Sequence, residues 1–456
     1  MIFNSPVFLF GFFPIVFALF WLARTKQQRY VLLTISGYVF YGYWNWKFCF
    51  LLLLSSLVSF IAGLGIERAS SRAASRTWMV SSIGFDLTIL GFFKYYNFFS
   101  SNLHHILPAL HPPQLNVILP IGISFYTFHT ITYIADVAAG RVRPTHHLFE
   151  YLAYVALFPQ LVAGPIVRFR QIEADLERID RRPRADQQAR GLGYFVVGLV
   201  KKVMIADTVA RFIDPLLKVS ATLSMTGAWL VALGYALQIY YDFSGYSDMA
   251  VGLGHLFGLR IPQNFNAPYR AEGVRDFWRR WHISLSTCLR DYLYIPLGGN
   301  RRGAVRTIVN LMITMLLGGL WHGANWTFVI WGAYHGVWLA MDRALEPWLQ
   351  RLPRLVYRWG TFLVVLIGWV LFRSENLSMA MGWFQTMLGL GGGAASGGLV
   401  LGALVALGVV AVNIVPETWD IPFSARRRWI VVYAALFAAS YFFINNREMP
   451  FLYYQF

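Results

Sequence analysis

Three stretches of the chain, Val7–Leu22, Leu399–Val415 and Trp429–Ile444, carry no charged residue at all. Each approaches the ~20 residues that a helix needs to cross a bilayer. In lipid every backbone N–H and C=O must be satisfied within the protein, so such stretches fold as helices packed side by side. Composition agrees, with 57% hydrophobic and 13% charged residues among 456, where a soluble domain carries about 25% charged. The expected fold is an all-α polytopic membrane protein. About ten to twelve spanning helices are expected, with short re-entrant or interfacial helices around a central funnel or tunnel.

The formal charge of +17 fits the same architecture. Basic residues come in short patches between apolar spans, as cytoplasmic loops do, so nucleic acid is not the implied partner and membrane lipid is. Arg24, Lys26 and Arg29 place the first loop inside, and counting spans onward puts both termini on the periplasmic side. The first span follows no basic n-region and precedes no cleavage site, so it reads as retained. Cys49 and Cys288 are the only cysteines, and their settings do not suggest a disulfide. Without CxxC, HExxH or GxGxxG, no metal or permanently bound cofactor is expected. The chain reads as one domain, with N-terminal helices over 1–137, a core over 138–345 and C-terminal helices over 346–456.

Several stretches are too polar for lipid. Ser124, Thr127, His129, Thr130 and Asp136 crowd one expected helix, so its face should meet protein or a cavity; His129 is either hydrogen-bonded to a neighbour or part of a site. The stretch 148–167 lies between two inside-type charge patches and is broken at PQLVAGPIVRF, which suggests a re-entrant element. The helix expected over Met225–Tyr241 runs into a cluster with Tyr241, Asp242, Ser244, Tyr246 and Asp248. There the carboxylates are expected to pair with arginines such as Arg270, Arg279 or Arg280. From Arg260 to Arg306 no clean span exists, and an inside-facing platform of short helices is expected.

Two Trp–His pairs remain, forty positions apart. His322 ends an apolar run and precedes Gly323, Ala324 and Asn325, whose small residues permit close approach. A neutral imidazole in such a place can take a proton from an attacking hydroxyl, or can be a core histidine bonded to the next helix. Trp321 or Asn325 could donate a hydrogen bond to a developing oxyanion. His282 lies in Asp276–His282, where Arg279 and Arg280 could hold a phosphate-bearing donor or anchor at anionic lipid heads. His282 could position that donor, orient the second histidine or cap a structural network. Cys288 is either a thiol nucleophile or a small buried residue.

The motifs PQLVAGPI, YYDFSGYSDMA, NFNAPYR, DFWRRWHISLSTCLRDYLYIPLGGNR and LGGLWHGANWTFVIWGAYHG, with MIFNSPVFLF and FLYYQF at the ends, together resemble the membrane-bound O-acyltransferase family. The likeness is to its bacterial branch of alginate O-acetylation proteins, with peptidoglycan, cellulose and teichoic-acid modifying relatives further off. The family pattern has tryptophan where this chain has Cys288, which bears on local packing or tunnel lining. The resemblance implies that His322 is the essential histidine and His282 the second. It also implies an acetyl donor such as acetyl-CoA on the cytoplasmic side, and a periplasmic acetyltransferase or esterase-like partner that modifies an exopolysaccharide. The residues alone leave two rivals, a transporter or channel for an anionic substrate and a non-catalytic scaffold.

Overall fold

Side chains of Thr25, Ser71, Asn325 and Asn376 cap the starts of four helices. The computed structural model describes residues 1–219, 222–391, 393, 398–444 and 451–452. The GGGAASGG link and the NNREMPFLYYQF end fall mostly outside the described residues. Among the described residues the secondary structure is helical apart from an isolated bridge position, so the expected all-α bundle is the fold. Contacts group the chain into two compact units.

The first unit comprises Met1–Val196, Tyr246–Pro262 and Phe423–Ala435. Its helices are α1 (Phe13–Leu22), α2 (Lys26–Asn45), α3 (Lys47–Glu67), α4 (Arg72–Leu90), α5 (Tyr96–Ile106), α6 (Ile123–Ala138), α7 (Leu148–Val155), α8 (Phe158–Leu161), α9 (Phe169–Leu176) and most of α10 (Ala185–Leu199). Thr25 and Gln28 form a reciprocal capping box at the start of α2, satisfying two helix-end donors. Asp86, inside α4, accepts from Ser55 at 2.6 Å and Thr130 at 2.7 Å. That explains how α3, α4 and α6 tolerate a carboxyl group in an apolar setting. The polar face of α6 is buried: Thr127, His129, Thr130, Thr132 and Asp136 are all nearly inaccessible. Arg141 and Arg170 reach Asp136 at 3.1 and 3.5 Å. The stretch 148–167 is broken between α7 and α8, as its prolines and glycine predict. It is buried from Glu150 onward, so its irregular backbone is covered by protein.

The second unit comprises Val197–Gly245, Gln263–Pro422 and Leu436–Phe456. It holds α11 (Asp207–Leu217), most of α12 (Met225–Leu256), α13 (Val274–Arg280), α14 (Ile283–Leu289), α15 (Gly303–His322), α16 (Trp326–Ala344), α17 (Glu346–Leu349), α18 (Arg354–Arg373), α19 (Leu377–Met387) and α20 (Gly398–Ile414). The last helix, α21 (Arg427–Phe443), supplies residues to both units. α12 corrects one expectation. It does not stop near Tyr241 but continues through the YYDFSGYSDMA cluster for 32 residues. Tyr240 and Asp242 within it bond to Glu417 and Lys202, so these polar groups do not force the helix to end there.

Among the described residues three helices, α3, α15 and α18, are long and apolar enough to cross a membrane, and Val7–Leu22 and α20 are shorter apolar helices. Many large apolar side chains on α3, α18 and α20 face outward, as lipid contact requires. The protein is a multi-pass inner-membrane protein.

Candidate active site

α15 and α16 form an antiparallel hairpin joined by Gly323, Ala324 and Asn325. The helices touch through glycine. A Cβ on Gly319 would collide with the Phe328 carbonyl, and one on Gly332 with the Met315 carbonyl. Backbones this close leave room for His322 on the last turn of α15 without pushing the helices apart. The His322 ring is buried and meets three aromatic neighbours edge-on: Trp321 at 4.9 Å, Trp331 at 5.2 Å and Phe372 at 5.1 Å.

His322 lines a small chamber of about 100 Å³, together with Trp278, Leu285, Ser286, Met315 and Trp331. A second chamber of about 460 Å³ carries Arg275, Arg279, Arg290 and Arg343, with Tyr294 and Asn300. Trp278, Ser286, Thr314, Met315 and Leu339 line both, so the two chambers abut along one shared wall. A charged vestibule thus lies beside the apolar pocket that holds the imidazole.

The arginines of the vestibule differ. Arg279 is exposed and has no ion-pair partner among the described residues. Arg343 donates to Asn300 Oδ1 at 3.0 Å, and Arg290 to Asp291 at 2.7 Å. Arg275 reaches Glu346 at 2.9 Å. Arg280, grouped with Arg279 in the sequence, lines neither chamber; it pairs with Asp276 at 2.8 Å and donates to the Asn266 carbonyl. One residue of spacing rotates it by about 100° around a helix, so the neighbours serve different purposes.

His282 sits where α13 ends and α14 begins, as the N-cap of α14. Its backbone is left-handed, with φ 43° and ψ 54°. Its Nδ1 accepts the Leu285 N–H at 3.2 Å, which leaves the proton on Nε2 when the ring is neutral. Burial pushes the imidazole down to about 3, so it is neutral. The NFNAPYR stretch clasps this turn. Asn266 N–H donates to the Arg280 carbonyl at 2.9 Å, the Ile283 N–H to the Asn264 carbonyl at 2.9 Å, and Ser284 N–H and Oγ to Asn264 Oδ1. The His282 ring packs on Phe243 at 4.7 Å and on Trp321 at 6.1 Å. It lines neither chamber. The two imidazoles are thus linked through one indole, that of Trp321.

Asn325 and Asp242, also singled out in the sequence, have structural partners. Asn325 caps α16 through Oδ1 to the Thr327 N–H and donates through Nδ2 to the Glu375 carbonyl at 2.7 Å. Its amide is therefore committed to the helix end. Asp242 pairs with Lys202 at 2.6 Å, and Lys202 also reaches Asp207 at 2.7 Å. Of the expected arginine partners, Arg270 bonds the Val412 and Val415 carbonyls, Arg280 pairs with Asp276, and Arg279 has no ion pair among the described residues. Tyr241 packs on Tyr240, and the Ser244 hydroxyl is buried. His129 and Tyr246 belong to the first unit, His129 against Tyr154 at 5.7 Å and Tyr246 stacked on Phe3 at 4.5 Å. Cys288 is buried within α14 and lines neither chamber.

Sequence reasoning passed over Trp278, Trp331, Arg275, Arg290 and Arg343. Arg275 lies four residues before Arg279, a spacing that puts both on one helix face, and could have been found. The tryptophans could not, since only packing distinguishes a chamber wall from an ordinary buried ring.

A charged vestibule beside a chamber lined by a buried histidine suits acyl transfer within a membrane, and sequence comparison supplies the family. The profile of the membrane-bound O-acyltransferase family, MBOAT, matches residues 28–381. The chain belongs to this family, within the AlgI-like O-acetylase branch. It is 47% identical over 399 residues to the probable alginate O-acetylase AlgI of Pseudomonas aeruginosa, covering 86% of this chain and 75% of the relative. To the peptidoglycan O-acetyltransferase of Helicobacter pylori it is 36% identical over 425 residues, 86% and 80% of the two chains. To the teichoic acid D-alanyltransferase of Bacillus subtilis it is 30% identical over 270 residues, 57% and 68% of the two chains.

Proposed function

We propose that the protein takes an acetyl group from acetyl-CoA on the cytoplasmic side and passes it to an acceptor hydroxyl, for O-acetylation of an exopolysaccharide such as alginate. A periplasmic acetyltransferase or esterase-like partner completes the modification. The observation that carries this reading is the arginine vestibule abutting the His322 chamber. The vestibule suits the phosphates of a coenzyme A donor, and the narrow apolar chamber suits an acetyl thioester. The relatives' names, alginate O-acetylase and peptidoglycan O-acetyltransferase, support acetyl transfer to a glycan.

In this mechanism His322 is the catalytic base. It accepts the proton of the acceptor hydroxyl as that oxygen attacks the thioester carbonyl. The tetrahedral intermediate collapses with cleavage of the C–S bond, and the proton held by His322 passes to the departing thiolate, giving free CoA thiol and an O-acetyl ester. Arg279 meets the donor's phosphates. His282 is a positioning residue that holds the Trp321 indole beside His322.

The test is protein reconstituted in nanodiscs and given radiolabelled acetyl-CoA. His322→Ala is expected to lower thiol release and acceptor labelling at least ~100-fold, the scale of a lost general base, while donor binding persists. Wild-type rates in that variant would refute the mechanism. Uptake of an anion into proteoliposomes without thiol release would favour a transporter.

A further inference from the structure

Asp242 and Phe243 are consecutive on α12, and each contacts the chain's last described residues. Asp242 Oδ2 accepts the Leu452 N–H at 3.0 Å, and the Phe243 ring lies 5.7 Å from that of Phe451. Phe451 and Leu452 are 1% and 5% exposed, so the pair is inserted and not merely laid against the surface. The anchor is firm, because Asp242 is also held by Lys202, which is shared with Asp207. A buried carboxylate bonded to an ammonium and a backbone N–H is costly to disturb.

On its other side the Phe243 ring supports His282 edge-to-face at 4.7 Å, and it packs against Phe265 at 5.0 Å. His282 in turn meets Trp321, and Trp321 meets His322 at 4.9 Å. A continuous series of rings therefore runs from Phe451 through Phe243, His282 and Trp321 to the base. Packed interiors transmit such contacts because they contain few voids. We propose that Phe451 and Leu452 are positioning residues for acyl transfer, docked on Asp242 and Phe243 to hold His282 against Trp321. This rests on the reading of His322 and His282 given above. Without the Phe451 ring, Phe243 gains space to retreat, and the His282 imidazole loses the wall that fixes it. A shift of about 1 Å at a reacting group can cost ~100-fold in rate.

The experiment compares the full chain with Phe451→Ala and Phe451→Tyr in nanodiscs, with acetyl-CoA as donor. Diethyl pyrocarbonate labelling of individual histidines is read by mass spectrometry alongside kinetics. Phe451→Ala is expected to lower kcat at least tenfold with KM for acetyl-CoA unchanged, and to make His282 reactive while fully buried His335 stays protected. Phe451→Tyr is expected to restore most of the rate. Wild-type kcat in Phe451→Ala, or a fall in rate with His282 as protected as in the wild type, would overturn the proposal. Reactivity of both histidines in Phe451→Ala, with Phe451→Tyr no better than Phe451→Ala, would also overturn it by marking a global packing role. Failure of the functional reading shows separately: His282→Asn would then transfer acetyl at the wild-type rate.

Discussion

At the residue scale, His282 occupies a left-handed backbone that costs a residue with a side chain roughly 1–2 kcal/mol. The imidazole offsets this by capping α14. His282→Asn separates the two duties, because asparagine tolerates this conformation and caps helices well. It is expected to keep the fold but to lose the ring contact with Trp321, lowering acetyl transfer by ~100-fold with donor KM unchanged. His282→Ala is expected to cost a further ~1 kcal/mol of stability from the lost cap, measured as thermal unfolding in detergent. The pH dependence has a definite sign. The folded pKa is about 3, below the ordinary value of about 6.5. The contribution is therefore complete above pH ~6.5 and is lost as pH falls toward 3, since the unfolded chain binds the proton. The stability advantage of the wild type over His282→Asn is expected to shrink as unfolding is measured from pH 7 down to pH 4.

At the element scale, α13 turns its two neighbouring arginines toward different surroundings. Arg279 faces the vestibule without an ion pair, whereas Arg280 is tied to Asp276 and the Asn266 carbonyl. Arg279→Gln is expected to raise KM for acetyl-CoA roughly tenfold, the scale of one lost charge-assisted hydrogen bond. Added salt is expected to weaken donor binding less in this variant than in the wild type. Arg280→Gln is expected to leave that KM within about twofold, because Arg280 lines neither chamber. The α15–α16 hairpin makes a different demand. Gly319→Ala places a methyl group against the Phe328 carbonyl, where only backbone movement can make room. A loss of about 1–3 kcal/mol is expected, read as a lower unfolding temperature, with reduced transfer because His322 lies three residues on.

At the scale of the whole molecule, the second unit contains His322, His282, the vestibule and the residues at 451–452. Its polar interior is organised by side chains that bond within protein: Asp242 with Lys202, Glu417 with Tyr240 and the Ala267 N–H. Breaking one member of the Lys202 triad leaves a buried charge uncompensated. Lys202→Met is therefore expected to lower stability by ~3–5 kcal/mol. Lys202→Met/Asp242→Leu, which removes both unlike charges, is expected to recover part of that loss in the same unfolding measurement.

The sequence by itself determined the membrane class and the family and singled out two histidines, because apolar length, charge placement and short motifs are local properties of the chain. It also marked the break at 148–167, since proline and glycine act on their own backbone. It did not determine partners. The carboxylate of Asp242 was legible as needing a cation, but whether lysine or arginine met it depended on which helix lay opposite. Asn325 or Trp321 could read as an oxyanion donor, but the Asn325 Nδ2–H goes to the Glu375 carbonyl. Arg280 could read as a binding residue, but the rotation of one residue along α13 carries it away from the vestibule. The DFWRRWHIS…WHG stretch carries both imidazoles. Tertiary packing set His322 in a chamber and His282 behind an indole, because only folding decides which atoms of distant segments share a wall.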